Sequence, residues 1–117
     1  MNDAEIKEYL DADKALARIR GNARLFKLLL STFLKDTPAH FSQLKKEVAA
    51  NDRVAAGKTV HTIKGVAANL SMMKLYEISP ALEALLKTDS DIADSLANYI
   101  SVYEKTVEAV NTYLSGM

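Results

Sequence analysis

The sequence predicts an all-α fold: an antiparallel up-down four-helix bundle with one or two short N-terminal helices. Composition favours helix, because Ala, Leu, Lys and Glu dominate while the 117 residues include only four Gly and two Pro. Apolar residues also recur every three or four positions along four long stretches. Short connections between these stretches favour antiparallel neighbours. We therefore expect a single domain over residues 1–117, with its bundle core at about 22–114.

The first two helices are short. Residues 4–10 can form one turn or two of helix with an apolar side. Asp11 and Asp13 then offer N-caps for a second short helix, which Gly21 ends.

The third predicted helix spans about 22–50 and contains a proline. Asn22 can cap its start, and the apolar spacing keeps its phase across Pro38, which favours one long helix with a kink. The alternative is two helices, with Thr37 as the N-cap of the second and Pro38 in its first turn. The apolar positions are Phe26, Leu30, Phe33, Phe41, Leu44 and Val48.

Three further helices follow. Asn51 and Asp52 end the long helix and cap a helix over about 53–70. Ser71 is the predicted cap of the next helix, in which Pro80 again lies in phase and predicts a second kink. Its inner stripe is Met72, Leu75, Ser79, Leu82 and Leu86. After a polar turn, the last helix runs from about 91 to 114 with unbroken three-four spacing.

Composition and charge exclude several functional classes. Fifteen Lys/Arg balance fifteen Asp/Glu, which argues against general nucleic-acid binding. Cysteine is absent, so disulfides and thiolate metal sites are excluded. No apolar run reaches about 18 residues and the N-terminus is acidic, so we expect a cytoplasmic protein that does not engage a membrane. Residues 1–70 hold 12 Lys/Arg against 8 Asp/Glu, which makes that part basic.

One histidine stands out on the predicted helix 53–70. At about 100° per residue, His61 points away from the apolar stripe, and Gly57 and Gly65 lie one turn to either side of it. Lys58 and Lys64 lie within about 60° of it. Each helical Gly costs about 1 kcal/mol relative to Ala, so two beside one histidine suggest that another surface approaches closely. The plainer alternative is a solvated histidine with glycines that serve packing, and geometry alone leaves both open.

The run His61-Thr62-Ile63-Lys64-Gly65, continued by Ala67–Leu70 and followed by Leu75, Leu82 and Glu83, resembles the histidine-containing phosphotransfer (HPt) domain family. The stretch Leu16–Asn22, with Leu25, Leu29 and Phe33, fits the family's opening. The resemblance covers roughly residues 11 to 90 and matches the last helix only by pattern. This chain has Ser71 where the family often has Gly after the Asn-Leu pair.

The resemblance implies a phosphorelay intermediate. His61 would accept a phosphoryl group on Nε2 and exchange it with an aspartate of a receiver domain, in a hybrid histidine kinase or a response regulator. Lys64 would counter the phosphate charge. Glu83 would bond Nδ1–H and so leave Nε2 free to attack. The chain would be a monomeric phosphocarrier with no ATP site and no cofactor or metal of its own, and the receiver would bring the Mg²⁺.

Other residues near His61 are predicted to line the surface that meets the receiver, and His40 is predicted to be an ordinary surface residue. The predicted binding residues are Gly57, Lys58, Thr62, Gly65, Ala68 and Asn69. Two alternatives stay open at this point. One is a docking module that binds a receiver without transferring phosphate. The other is a dimerising histidine-kinase segment, which usually has an acidic residue directly after its His, where this chain has Thr62.

Overall fold

Six α-helices and no strand form the structure, a computed structural model that describes all 117 residues. The all-α prediction is confirmed. The helices are α1 (Asp3–Tyr9), α2 (Ala12–Arg18), α3 (Ala23–Ala49), α4 (Arg53–Asn69), α5 (Met73–Leu86) and α6 (Ala93–Ser115). None of them is long and apolar enough to cross a lipid bilayer.

The four long helices contact one another in a closed ring around one core. Helix α3 packs on α4, α4 on α5, α5 on α6, and α6 returns to α3. The short helices lie outside this ring, with α1 against α5 and α6, and α2 against α3. A helix of 27 residues is about 40 Å long, so α3 alone spans nearly the whole 43 Å length of the molecule. Helix α4 thus lies between α3 and α5 and keeps one face free.

Both prolines lie inside continuous helices. Helix α3 runs through Pro38, so the alternative of two separate helices is wrong. The residue before each proline is a buried hydroxyl that donates back to the carbonyl four residues earlier. Thr37 Oγ1 bonds Phe33 O at 2.6 Å, and Ser79 Oγ bonds Leu75 O at 2.7 Å. These bonds satisfy two buried hydroxyls in the turn before each proline, whereas the carbonyls that lose a donor to proline are those of Leu34 and Tyr76.

Most predicted helix starts are confirmed by side-chain caps. Asp11, Asn22 and Asp52 each accept a hydrogen bond from the backbone N–H three residues on, at 3.0–3.2 Å. Helix α6 differs, since its N-cap residue is Ile92 and no side chain caps it. The nearby Asp91 instead accepts from Ala93 N at 2.9 Å.

Ser71 does not cap α5, so that prediction is wrong. Met72 is the N-cap residue, without a side-chain hydrogen bond, and Ser71 lies just past the end of α4 with φ 55°. This is the left-handed region that glycine occupies most easily at helix ends. The Ser71 carbonyl accepts from Asp11 N at 2.9 Å, while its hydroxyl is buried without a partner. The residue thus makes the sharp turn that brings α5 back along α4.

Candidate functional site

His61 projects from the free face of α4, with 71% of its side chain exposed. The opposite face of the helix is buried against its neighbours, as the periodicity predicts: Ala56, Thr59, Val60, Ile63 and Ala67. The division follows from the 3.6-residue repeat, which keeps the apolar stripe on one side. A histidine on this face is open to a second protein.

Gly57 and Gly65 leave open space beside the imidazole. A Cβ added at either position would meet no heavy atom within 4 Å, apart from the backbone of its own helix. Neither glycine is therefore required for packing within the chain, and neither has a positive φ. Since each still costs about 1 kcal/mol in a helix interior, the structure contains no internal reason for them. The structure therefore gives no support to the packing alternative, and the two glycines leave a bare strip on the His61 face of α4.

Glu83 reaches across from α5 and lies between two cationic or titratable groups of α4. Its Oε2 lies 3.6 Å from His61 Nδ1, and its Oε1 lies 3.0 Å from Lys64 Nζ. The first distance is longer than a hydrogen bond, and the second contact is an ion pair without hydrogen-bond alignment. Only 19% of the Glu83 side chain and 24% of the Lys64 side chain are exposed. The carboxylate therefore faces the Nδ1 edge of the ring and leaves the Nε2 edge free.

His61 and Glu83 line one groove between α4 and α5, which we call the α4–α5 groove. Its volume is about 470 Å³, and its lining residues are Arg53, Val54, Gly57, Lys58, His61, Thr62, Glu83, Leu86 and Lys87. Three of these carry fixed positive charge, whereas Glu83 alone is acidic. Val54 is 73% exposed at one end of the groove. The surroundings of His61 therefore favour an anion together with some apolar contact.

A family model for the Hpt domain matches residues 28–113. The chain belongs to the Hpt domain family. The match includes most of α6, beyond the residues on which the resemblance above rests, and it leaves out α1 and α2. Hpt domains transfer phosphoryl groups on histidine in two-component phosphorelays, where they contact receiver domains and act as carriers rather than kinases. Neither the search of curated proteins nor the search of solved structures found a match.

The remaining predicted site residues of this Hpt domain divide into two groups. Lys58 and Thr62 line the α4–α5 groove, and the Thr62 hydroxyl donates to Lys58 O at 3.1 Å. Ala68 and Asn69 lie farther along α4. The Ala68 carbonyl accepts from the Arg18 guanidinium, and Asn69 lines a separate groove between α3 and α4. The structure does not bring these last two to the imidazole.

His40 is a partly exposed residue at the surface. It lines two grooves between α3 and α4, one of which also includes Lys58 and Thr62, but it does not line the α4–α5 groove. It shares one of them with Glu47, which accepts from Thr59 Oγ1 at 2.6 Å. No three His, Asp or Glu side chains of the domain cluster closely enough to hold a metal ion.

Arg53 is a site residue that the sequence reasoning missed. It begins α4, and its guanidinium bonds backbone carbonyls at the end of α5 and in the turn that follows. The sequence did contain a signal, because a cation in the first turn of a helix opposes the helix dipole. Such an unfavourable position suggests a partner elsewhere in the fold. The carbonyls that Arg53 bonds lie 32 to 37 residues away in the sequence, and helical periodicity predicts no contact over that separation.

Tyr99 of α6 lies in the core behind Glu83. Its side chain is fully enclosed, and its hydroxyl has no hydrogen-bond partner because the nearby Ser79 hydroxyl donates to Leu75 instead. Burial is the main cause that raises the pKa of Tyr99 to about 12; the nearby Ser79 hydroxyl lowers it in part, and the charge of Glu83 adds a smaller rise. The phenol is therefore neutral at physiological pH beneath the carboxylate.

Proposed function

We propose that this Hpt domain is a phosphorelay intermediate in which His61 accepts a phosphoryl group from an aspartate of one receiver domain and donates it to an aspartate of another. The observation that carries the proposal is the His61–Glu83 arrangement, in which a carboxylate 3.6 Å from Nδ1 faces one ring nitrogen and open solvent faces the other. An imidazole loses its proton near neutral pH, so its free nitrogen is a competent nucleophile there.

The Nε2 lone pair attacks phosphorus of the receiver's aspartyl phosphate, an N–P bond forms, and the P–O bond to the aspartate breaks with its electron pair going to the carboxylate. The Nδ1 proton stays on the ring, which becomes positively charged. Glu83 is placed to stabilise that charge, and it favours the tautomer in which Nε2 is free. Donation to the next receiver is the reverse sequence.

Lys64 has a second role in this proposal. It lies three residues after His61 on α4, and its ammonium is paired with Glu83. When a phosphoryl group arrives on Nε2, the flexible lysine side chain can share its charge between the carboxylate and the phosphate oxygens. Glu83 would then be freer to bond Nδ1–H. Lys64 would thus pair with the Glu83 carboxylate before the transfer and counter the charge of the phosphoryl group on His61 after it.

The proposed partner is a receiver domain, of a hybrid histidine kinase or a response regulator. In-line transfer requires the two proteins to touch at the phosphoryl group. The bare strip at Gly57 and Gly65 permits that approach, and Lys58 and Thr62 would contact the partner at the rim. The receiver would supply the Mg²⁺. We further propose that the domain is a monomeric, cytoplasmic four-helix bundle whose long helices run alternately up and down.

The chain supplies its own control for a transfer assay because it has two histidines. The purified protein is incubated with a panel of phosphorylated receiver domains, beside His61→Gln and His40→Gln variants. We expect acid-labile, alkali-stable label on the wild type and on His40→Gln, and none on His61→Gln. Label on His61→Gln would refute the assigned site. Receivers that bind the wild type without labelling it would instead support a docking module.

A further inference from the structure

We infer that Arg53 is a positioning residue for His61: it fixes the end of α5 on the start of α4, and so holds Glu83 opposite the imidazole. The consequence for phosphate transfer rests on the function proposed above. The effect on the ring itself does not, because it concerns the unphosphorylated protein.

The Arg53 guanidinium makes four hydrogen bonds, of which one reaches the last turn of α5 and two reach the turn that follows it. Nη1 donates to Leu85 O at 3.3 Å and to Thr88 O at 2.6 Å, while Nη2 donates to Ser90 O at 2.8 Å. Nε donates to the side chain of Asn51 at 3.5 Å, within the turn before α4. The planar fork is thus used on both edges, which fixes the orientation as well as the distance of its acceptors.

Only one of these acceptors, Leu85 O, belongs to α5, and it also accepts from Thr88 N at 3.0 Å and from Thr88 Oγ1 at 2.7 Å, whereas Thr88 O and Ser90 O lie in the turn after the helix. The last carbonyls of any helix lack an N–H four residues on, and they carry the negative end of the helix dipole. The last turn of α5 contains no basic residue of its own. Arg53 supplies that charge from another helix, so the C-terminal end of α5 and the following turn are bound to the first residue of α4.

Glu83 lies in the last turn of α5, next to the bonds that Arg53 makes. A slip of α5 by one residue would move a side chain about 1.5 Å along the helix axis and rotate it by about 100°. Either change would take the carboxylate away from His61 Nδ1, which is already 3.6 Å distant. Core contacts place α5 approximately, whereas the fork fixes the position of its final turn. Arg53 touches no reacting atom, and its effect on the position of the imidazole runs through Glu83.

The direct test reads the tautomer of His61 in the unphosphorylated protein by ¹⁵N NMR of the imidazole. We expect the Nδ1–H form to dominate in the wild type and to lose population in Arg53→Gln. Arg53→Lys retains the charge but not the fork, so it should give an intermediate value. Arg24→Gln removes an exposed arginine of α3 and should match the wild type. An arginine that only stabilised the fold would leave the tautomer of the folded protein unchanged.

Rates of phosphorylation give the second reading, with phosphoramidate as a small donor that needs no docking. We expect Arg53→Gln to slow the reaction about tenfold, since misplacing a catalytic group by about 1 Å has effects of this order or more. In a Glu83→Ala background the same substitution should cause no further loss, because the arginine acts through the carboxylate. An additive loss in the double variant would overturn the inference.

The two proposals fail in different ways. A wild-type tautomer in Arg53→Gln, together with a wild-type rate, would refute the role of Arg53 and leave the carrier function intact. A wild type that accepts no phosphate from any donor would refute the carrier function, while a tautomer shift in Arg53→Gln would still support the positioning role. Arg53→Lys provides both readings if the glutamine variant does not fold.

Discussion

At the scale of single residues, the site depends on one shared carboxylate. Glu83 lies closer to the Lys64 ammonium than to the His61 ring, at 3.0 Å against 3.6 Å. Exposed ion pairs contribute little, but this pair is mostly covered and fixes a side chain that would otherwise rotate. Under the proposed function, phosphorylation of His61 would add negative charge beside Lys64 and positive charge to the ring. Both changes favour a closer contact between Glu83 and the imidazole.

The first prediction separates the charge of Glu83 from its ability to accept a hydrogen bond. Glu83→Ala removes both, so we expect phosphoryl transfer to slow by about tenfold to a hundredfold. Glu83→Gln retains an acceptor oxygen and should lose less. Single-turnover rates from one phosphorylated receiver measure the effect. Wild-type rates in Glu83→Ala would contradict an orienting role, and a loss confined to receiver affinity would contradict it as well.

At the scale of helices, two glycines make α4 less stable and leave the surface around His61 uncovered. Its interior holds two glycines that pack against nothing within the chain. A helix selected only for stability would carry alanine at both positions. The open strip that results lies on the same face as His61, which is where a receiver would approach under the proposed function.

The second prediction concerns Gly65, which lowers the stability of α4 and leaves the surface beside His61 uncovered. Gly65→Ala should raise the free energy of unfolding by about 1 kcal/mol, because alanine is the better helix former and meets no obstacle. Gly65→Gln should fold equally well but block transfer from receivers by adding bulk beside the imidazole. Denaturant titration and transfer assays measure the two effects. Ala97→Gln, on an exposed part of α6, adds the same bulk away from the site and should transfer normally. Normal transfer by Gly65→Gln would refute the close approach.

The third prediction concerns the turn between α4 and α5. Ser71 has φ 55° and a buried hydroxyl without a partner, and both features are unfavourable. Ser71→Gly removes both, so we expect the protein to be stabilised by about 1 kcal/mol, as measured by urea unfolding. Ser71→Ala keeps the strained backbone and removes only the hydroxyl, so it should gain less. A destabilised glycine variant would show that the serine makes a contact we have missed.

Helices could be predicted from the sequence more completely than the contacts between them. Strict apolar spacing fixed α3 and α4 to within about two residues of their ends. The error at Ser71 arose because a serine before an apolar run normally indicates an N-cap, whereas here it occupies the position after a helix. The Lys64–Glu83 pair and the Arg53 bonds depend on how two helices align. Periodicity within one helix does not contain that information.

At the scale of the whole molecule, one core supports the site from beneath. The rings of Phe41 on α3 and Tyr99 on α6 stack with centroids 5.5 Å apart, and Tyr99 lies behind the helix that carries Glu83. Site and core therefore share a helix, α5, whose inner face packs in the core while Glu83 reaches toward α4. A disturbance of the core at Tyr99 should affect the stability of the whole domain.

The fourth prediction is an alkaline loss of stability. The folded protein holds the Tyr99 proton up to a pKa of about 12, whereas an unfolded chain releases it near the ordinary value of about 10. The contribution of the protonated Tyr99 to the free energy of unfolding is therefore complete below pH 10. It is lost as the pH rises toward 12, by up to about 3 kcal/mol. Tyr99→Phe should remove most of this loss, with a remainder from Tyr113, whose pKa burial also raises. Thermal unfolding at several pH values measures it, and Tyr76→Phe, at an exposed tyrosine, should behave as wild type.

The measurement that tests the central claim most directly is a two-step transfer through the purified domain. A phosphorylated receiver loads the protein, the receiver is removed, and a second, unphosphorylated receiver is added. We predict that label appears on the domain in the first step and moves to the second receiver in the next, and that His61→Gln supports neither step. Label that reaches the second receiver through His61→Gln, or wild-type protein that stays unlabelled by every receiver, would contradict the assignment of His61 as a phosphoryl carrier.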